Sequence, residues 1–288
     1  MSLPARQFIF LFLFLFSISF STRSQSALLY EISGPGIKKP SYLFGTIHLI
    51  CPDEFFLSDS VLKRLELSKK LVLELDFDAP DLMNTMREQI MFPEGKNLNQ
   101  YLSKGKSDTL DTWLKANFQV GIAELGKMKP VGLMSMMYMK LLNCMPESYE
   151  VKLTSLAASQ KKEVLGLESV EEQTGYFDEI PMADQATMLV EMIQKIEAGR
   201  DQFAEMIDLY KKQDSEALLE MTRKSEFEME GIEKFLLQKR NVNWIPVMKK
   251  MASAQTCFFA VGAAHLGGEK GLVNLLKKEG LKVKAVRW

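Results

Sequence analysis

Residues 41–48 read SYLFGTIH, and residues 257–265 read CFFAVGAAH. Each is a short apolar run rich in aromatic or β-branched side chains, ending in a glycine with a histidine three residues further on. His48 and His265 are the chain's two histidines. Behind each comes the same succession. After His48 a helix over Asp59–Ser68 leads to an apolar run, KLVLELDF, over Lys70–Phe77. After His265 a helix over Lys270–Lys278 leads to a last strand over Leu281–Val286. One supersecondary unit is thus used twice, and a strand-helix-strand crossover favours parallel pairing within each half. The predicted fold is α/β: two β-α-β halves forming a mixed, largely parallel sheet, with a large helical insertion over about residues 81–254.

Working outward, Ser33-Gly34-Pro35-Gly36 is a turn separating a first strand over Ala27–Ile32 from the run at Ser41. Inside the insertion, Lys129-Pro130 opens a Met- and Leu-rich helix reaching Leu142, and Glu163–Leu167 is a short strand. Asp184–Arg240 carries the period of two or three amphipathic helices. The 18 methionines fall at helical spacing and are expected to be core filler, not metal ligands.

The 36 basic residues nearly balance the 37 acidic ones and form no basic block, which excludes a nucleic-acid footprint. Residues 1–24 differ from the rest. Arg6 precedes the run Phe8–Phe20, interrupted only by Ser17 and Ser19, which is short for a bilayer span but suits a signal-peptide core. Cleavage is expected before Gln25, leaving residues 25–288 as a single domain exported to the periplasm or beyond. The chain would touch a membrane only if that segment stayed uncleaved. Cys51, Cys144 and Cys257 allow at most one internal bridge and leave one thiol free, with Cys257 expected in the core.

In open α/β sheets ligands collect beyond the carboxyl ends of strands. Gly45 and Gly262 stand there, where glycine lets the backbone approach a bound group. His48 and His265 stand there too, and neutral imidazole is a common metal ligand. Two histidines need a carboxylate partner. In KLVLELDF, Glu74 and Asp76 project to one face of the strand. Glu74 is the expected ligand or general base, since a buried carboxylate needs a cation or several donors, and Asp76 is expected to cap the following turn. Glu168 follows the short strand of the insertion. Arg240-Asn241, expected at a helix end, could hold a substrate carboxylate or steady a developing negative charge. Glu147 and Glu150 flank Tyr149 at a helix start, where capping electrostatics account for acids without catalysis. No His-Glu-x-x-His, Gly-x-Ser-x-Gly or Walker motif occurs.

Five stretches in this order, SGPGIKKPSYLFGTIHL, KLVLELDFD, VLGLESVEEQ, Arg240-Asn241 with Trp244, and FFAVGAAHLGGEKGLVNLLKKEG, make the chain resemble the TraB/GumN family, which includes Tiki-type metalloproteases. The resemblance implies a fold related to the erythromycin-esterase and ChaN-like group. It also implies a metal-dependent site formed by His48, Glu74 and His265, with Arg240 and Asn241 nearby. Lys239 departs from the pattern, standing where an acid commonly precedes the Arg-Asn pair. The expected function is a metal-dependent hydrolase, a peptidase acting on a peptide or protein substrate with a divalent ion (manganese or cobalt, with zinc as the alternative). The competing expectation is a non-catalytic haem- or metal-binding protein of the ChaN-like type.

Overall fold

The computed structural model describes residues 26–224 and 233–288, so the signal-peptide reading lies outside the described residues. Six strands form one sheet: β1 (Leu29–Ser33), β2 (Ser41–Thr46), β3 (Lys70–Leu73), β4 (Glu163–Gly166), β5 (Cys257–Gly262) and β6 (Lys282–Val286). Their order is β4-β3-β5-β2-β1-β6. β1 is antiparallel to both neighbours, and the other described strands share one direction. The α/β class with a mixed, largely parallel sheet is what the structure has.

The two crossovers do not pair their own strands. β5 inserts between β2 and β3, while β2 and β1 separate β5 from β6. The physical reason lies in burial. Every residue of β2 and of β5 is buried, so these two strands take the centre, where a parallel sheet is covered on both faces. The outer strands carry the charges: Glu163 on β4, and Lys282 and Lys284 on β6, are exposed, as suits sheet edges.

The run at Lys70 leaves the sheet at Leu73, not Phe77. The Leu167 N–H is shared between the carbonyls of Leu73 and Glu74 (2.9 and 3.1 Å), and Glu168 N–H also bonds the Glu74 carbonyl. That irregular pairing ends the ladder and turns the chain, so Glu74 and Asp76 no longer alternate on one pleated face. Asp76 instead opens a turn in which its carbonyl accepts from Ala79 N–H.

Among the described residues the insertion is mostly helical, and β4 is its one named strand. Three of its helices, Lys104–Phe118, Pro130–Leu142 and Met182–Gln194, bury Leu110, Leu114, Leu133, Met137 and Leu189 in a core separate from the one around the sheet. Cys51 and Cys144 are disulfide-bonded, and Cys257 is a buried free thiol at the start of β5. Among the described residues no helix is long and apolar enough to cross a membrane.

Candidate functional site

Because β3, β5 and β2 are neighbours, their carboxyl ends lie side by side. Glu74 is the first residue after β3, Gly262 closes β5, and His48 comes two residues after β2. Neither histidine is itself in a strand. His48 sits in coil, and His265 ends a single 3-10 turn over Ala263–His265. The turn folds back over the strand end, which brings the ring to its neighbours.

Both imidazoles are anchored through Nδ1. His48 Nδ1 lies 3.0 Å from Glu150 Oε1, and His265 Nδ1 lies 2.6 Å from Asn241 Oδ1. A carboxylate oxygen accepts, and Asn241 uses its amide N–H groups on the carbonyls of His265 and Lys270 (3.2 and 2.9 Å), so in both rings Nδ1–H is the donor. The other nitrogens turn to one atom: Glu74 Oε1 is 3.9 Å from His48 Nε2 and 3.7 Å from His265 Nε2. The Gly262 N–H donates to the same oxygen at 2.8 Å.

Behind this trio lies a buried ionic cluster. Arg240 donates through Nη2 to Glu74 Oε2 and to Glu168 Oε1, the latter at 2.6 Å, and through Nε to Glu168 at 2.9 Å. Its Nη1 donates to the Leu236 carbonyl at 3.0 Å and lies 3.3 Å from His265 Nε2. Trp244 is the wall. Its indole N–H donates to Glu168 Oε2 at 2.9 Å, the guanidinium lies 4.7 Å from its ring centre, and the His265 ring lies 4.6 Å from it.

The TraB/PrgY/gumN family model matches residues 28–285. The chain belongs to the TraB/PrgY/gumN family. No curated protein and no solved structure matches it. In this family member, then, the chemistry of the centre rests on the residues themselves.

Charge follows from the contacts. Burial opposes ionisation of Glu74, but Arg240 and the Gly262 N–H outweigh it and hold the carboxyl well below the usual carboxylate range. Burial lifts Glu168 above that range despite Arg240. For His265, burial and the adjacent Arg240 push the ring down to about 3, so it is neutral with a lone pair on Nε2. For His48, desolvation works against the charged ring, while Glu150, as charge and hydrogen-bond partner, and Glu74 raise it to about 9. The His48 side chain is 59% exposed, so water screens part of that pairing.

Could the trio hold an ion? Two imidazoles and a carboxylate are a common donor set. A Cβ added at Gly262 would stand 3.3 Å from His48 Nε2 and 3.4 Å from Glu74 Oε1, so the missing side chain leaves a space beside the donors. Among the described residues, however, no group of three or more His, Cys, Asp or Glu side chains is close enough to hold a metal ion as it stands. Donors about 2.0–2.2 Å from a tetrahedral ion stand about 3.3–3.6 Å apart. The Glu74 gaps are wider by a few tenths of an ångström, and the Arg240 Nη1 faces one of the lone pairs. The donors fit in kind, and a bound ion would need them to draw in.

Of the residues read from sequence, the structure brings His48, Glu74, His265, Arg240, Asn241, Glu168 and Gly262 together. Gly45 faces elsewhere. A Cβ there would lie 2.7 Å from Leu266 and 3.0 Å from the Ala263 backbone, so this glycine lets the turn after β5 pack on β2. Arg240-Asn241 does not end a helix. It opens the helix Arg240–Ala254, directly after a π-helical stretch over Lys234–Lys239, and such stretches recur at functional sites. Lys239 pairs with Glu179 at the surface, away from Arg240's buried partners. Asp76 pairs with Asp78, and burial with that neighbour raises it to about 6. Ser148, not an acid, caps the helix Tyr149–Ser159. Glu150 does lie in the first turn of that helix, and its carboxylate is in addition the buried partner of His48 and Thr46. Nothing in the local sequence marks the pairing with His48, whose partners are 102 residues apart.

Proposed function

We propose that this TraB/PrgY/gumN protein is a metal-dependent hydrolase, a peptidase that holds one divalent ion through His48, Glu74 and His265. The observation that carries the reading is the shared geometry of the two histidines. Each gives its Nδ1–H to a buried acceptor and turns Nε2 toward the same Glu74 oxygen. Acceptors on the far nitrogen fix tautomer and orientation in metal-binding histidines. Manganese or cobalt is the proposed class of ion, with zinc as the alternative. When bound there, such an ion lowers the pKa of a water and polarises a carbonyl.

The chain's own residues do the rest. Arg240 keeps Glu74 ionised and fixed from behind, and Glu168 with Trp244 holds Arg240. Glu150 and Asn241 set the two rings. The exposed flank of His48 leaves one side of the centre open for a substrate carbonyl. Arg240 is buried and engaged with two carboxylates, so its proposed role is holding Glu74 rather than steadying an oxyanion.

Export agrees with the disulfide, since such bonds persist in oxidising compartments. The haem reading gains nothing from the geometry. Both Nε2 atoms lie within 4 Å of one carboxylate oxygen, with Arg240 behind it, a donor set that would suit a small divalent ion better than a haem. The test is peptide hydrolysis by the purified full chain. Activity should vanish with chelator, return on adding Mn²⁺ or Co²⁺, and be absent in His48→Ala. Hydrolysis that survives complete metal removal would refute the mechanism.

A further inference from the structure

Three residues beyond His48, Cys51 is covalently bonded to Cys144, 93 positions away. Beside that bond Ile50 and Glu147 exchange both backbone hydrogen bonds, at 3.0 and 2.8 Å. One step further, Ser148 donates to Glu150 Oε2 at 2.9 Å, while Glu150 Oε1 takes Thr46 Oγ1 and His48 Nδ1. Segments 46–51 and 144–150 are therefore joined at three places: the disulfide, the single Ile50–Glu147 bridge, and the bonds from Glu150 to Thr46 and His48.

On the 46–51 side the junction is held by packing, since Ile50 is fully buried in the main core; the 143–147 side has fewer buried residues. Asn143, Met145 and Glu147 are exposed, so on that side the disulfide is the covalent tie beside the Ile50–Glu147 bonds. The His48 ring is itself mostly exposed and has little packing to fix it. Its direction depends on Glu150 staying where it is.

We propose that Cys51 and Cys144 are positioning residues for the candidate centre. Their bond clamps segment 144–150 onto segment 46–51, keeps Glu150 on His48 Nδ1, and so presents Nε2 to Glu74. The effect on ion binding rests on the metal reading; the clamp itself does not.

The experiment compares three full-length proteins: wild type, Cys51→Ala/Cys144→Ala, and Leu110→Ala. Leu110 lies in the separate core of the insertion, so its variant loses stability without touching this junction. Amide exchange is followed at Ile50 and Glu147, the Nδ1–H resonance of His48 by NMR, and Mn²⁺ binding by calorimetry. Without the disulfide, the two amides should exchange at least about tenfold faster, the Nδ1–H signal should be lost, and the Mn²⁺ Kd should weaken about tenfold, as when a ligand's supporting partner is removed. Leu110→Ala should leave all three unchanged. Treating wild type with a phosphine reductant must reproduce the pattern, which covers a cysteine variant that fails to fold. Unchanged exchange and an unchanged Nδ1–H signal without the disulfide would overturn the clamp, as would equal changes in Leu110→Ala. Should wild type bind no Mn²⁺, the metal reading falls alone, and amide exchange with the ring signal still decides the clamp.

Discussion

Glu150 Oε1 lies 3.0 Å from His48 Nδ1 and 2.8 Å from Thr46 Oγ1, so one buried carboxylate fixes both the end of β2 and the ring beyond it. Glu150→Ala frees the ring while leaving every proposed ligand in place. The expected loss is about 10–100-fold in divalent-ion affinity, read by calorimetry. Affinity equal to wild type would show that Glu150 does not support His48.

Arg240 is the buried counter-charge of both Glu74 and Glu168. Arg240→Met leaves those carboxyls without it and should cost about 3–5 kcal/mol of stability in urea unfolding. Adding Glu74→Gln should restore a sizeable part, because the amide needs no cation. Strictly additive losses would deny that the two residues act as a pair.

The two rings should titrate far apart in the metal-free protein. His265 stays neutral down to about pH 3, and His48 stays protonated until about pH 9. The signs differ. His265 is depressed from its ordinary 6.5, so between about 6.5 and 3 the unfolded chain binds a proton that the fold refuses, and stability falls as pH drops through that window. His48 is raised, so its contribution is complete below about 6.5 and disappears as pH climbs toward 9. Exposure of the His48 ring screens that second effect, and the acid limb should dominate. With two histidines in the chain, NMR assigns both curves without ambiguity; overlapping titrations near 6.5 would contradict the contacts described.

Gly262→Ala places a methyl beside three proposed ligands, 3.3 Å from His48 Nε2, 3.4 Å from Glu74 Oε1 and 3.6 Å from His265 Cδ2. The backbone at Gly262 has φ −51°, which alanine also adopts. The variant should therefore fold with a melting temperature near wild type yet bind Mn²⁺ at least about tenfold more weakly, comparable to losing a ligand's support. Undiminished binding would move the ion elsewhere.

Much of the centre could be read before the structure because its signals are local. A glycine three residues before each of two histidines, and an acid set in an apolar run, mark His48, His265 and Glu74 by their immediate neighbours. Arg240 and Asn241 were found with the wrong local geometry, since a helix end and a π-to-α junction look alike in residue periodicity. For Glu150 the sequence shows the helix start but not the partner. An acid just inside a helix start has an ordinary local explanation, and its actual partner is 102 residues away. Strand order was hidden in the same way. A crossover fixes the direction of β2 and β3 but not that β5 comes between them, which depends on placing two wholly buried strands at the centre of the sheet.

The central claim is that the chain's distant ends meet to bind one divalent ion. Metal content and Mn²⁺ titration of protein purified without an affinity tag test it most directly. One ion per chain should bind to wild type, and none to either His48→Ala or His265→Ala with the fold intact. A wild-type protein that takes up no divalent ion, or histidine variants that bind as well as it does, would contradict the account.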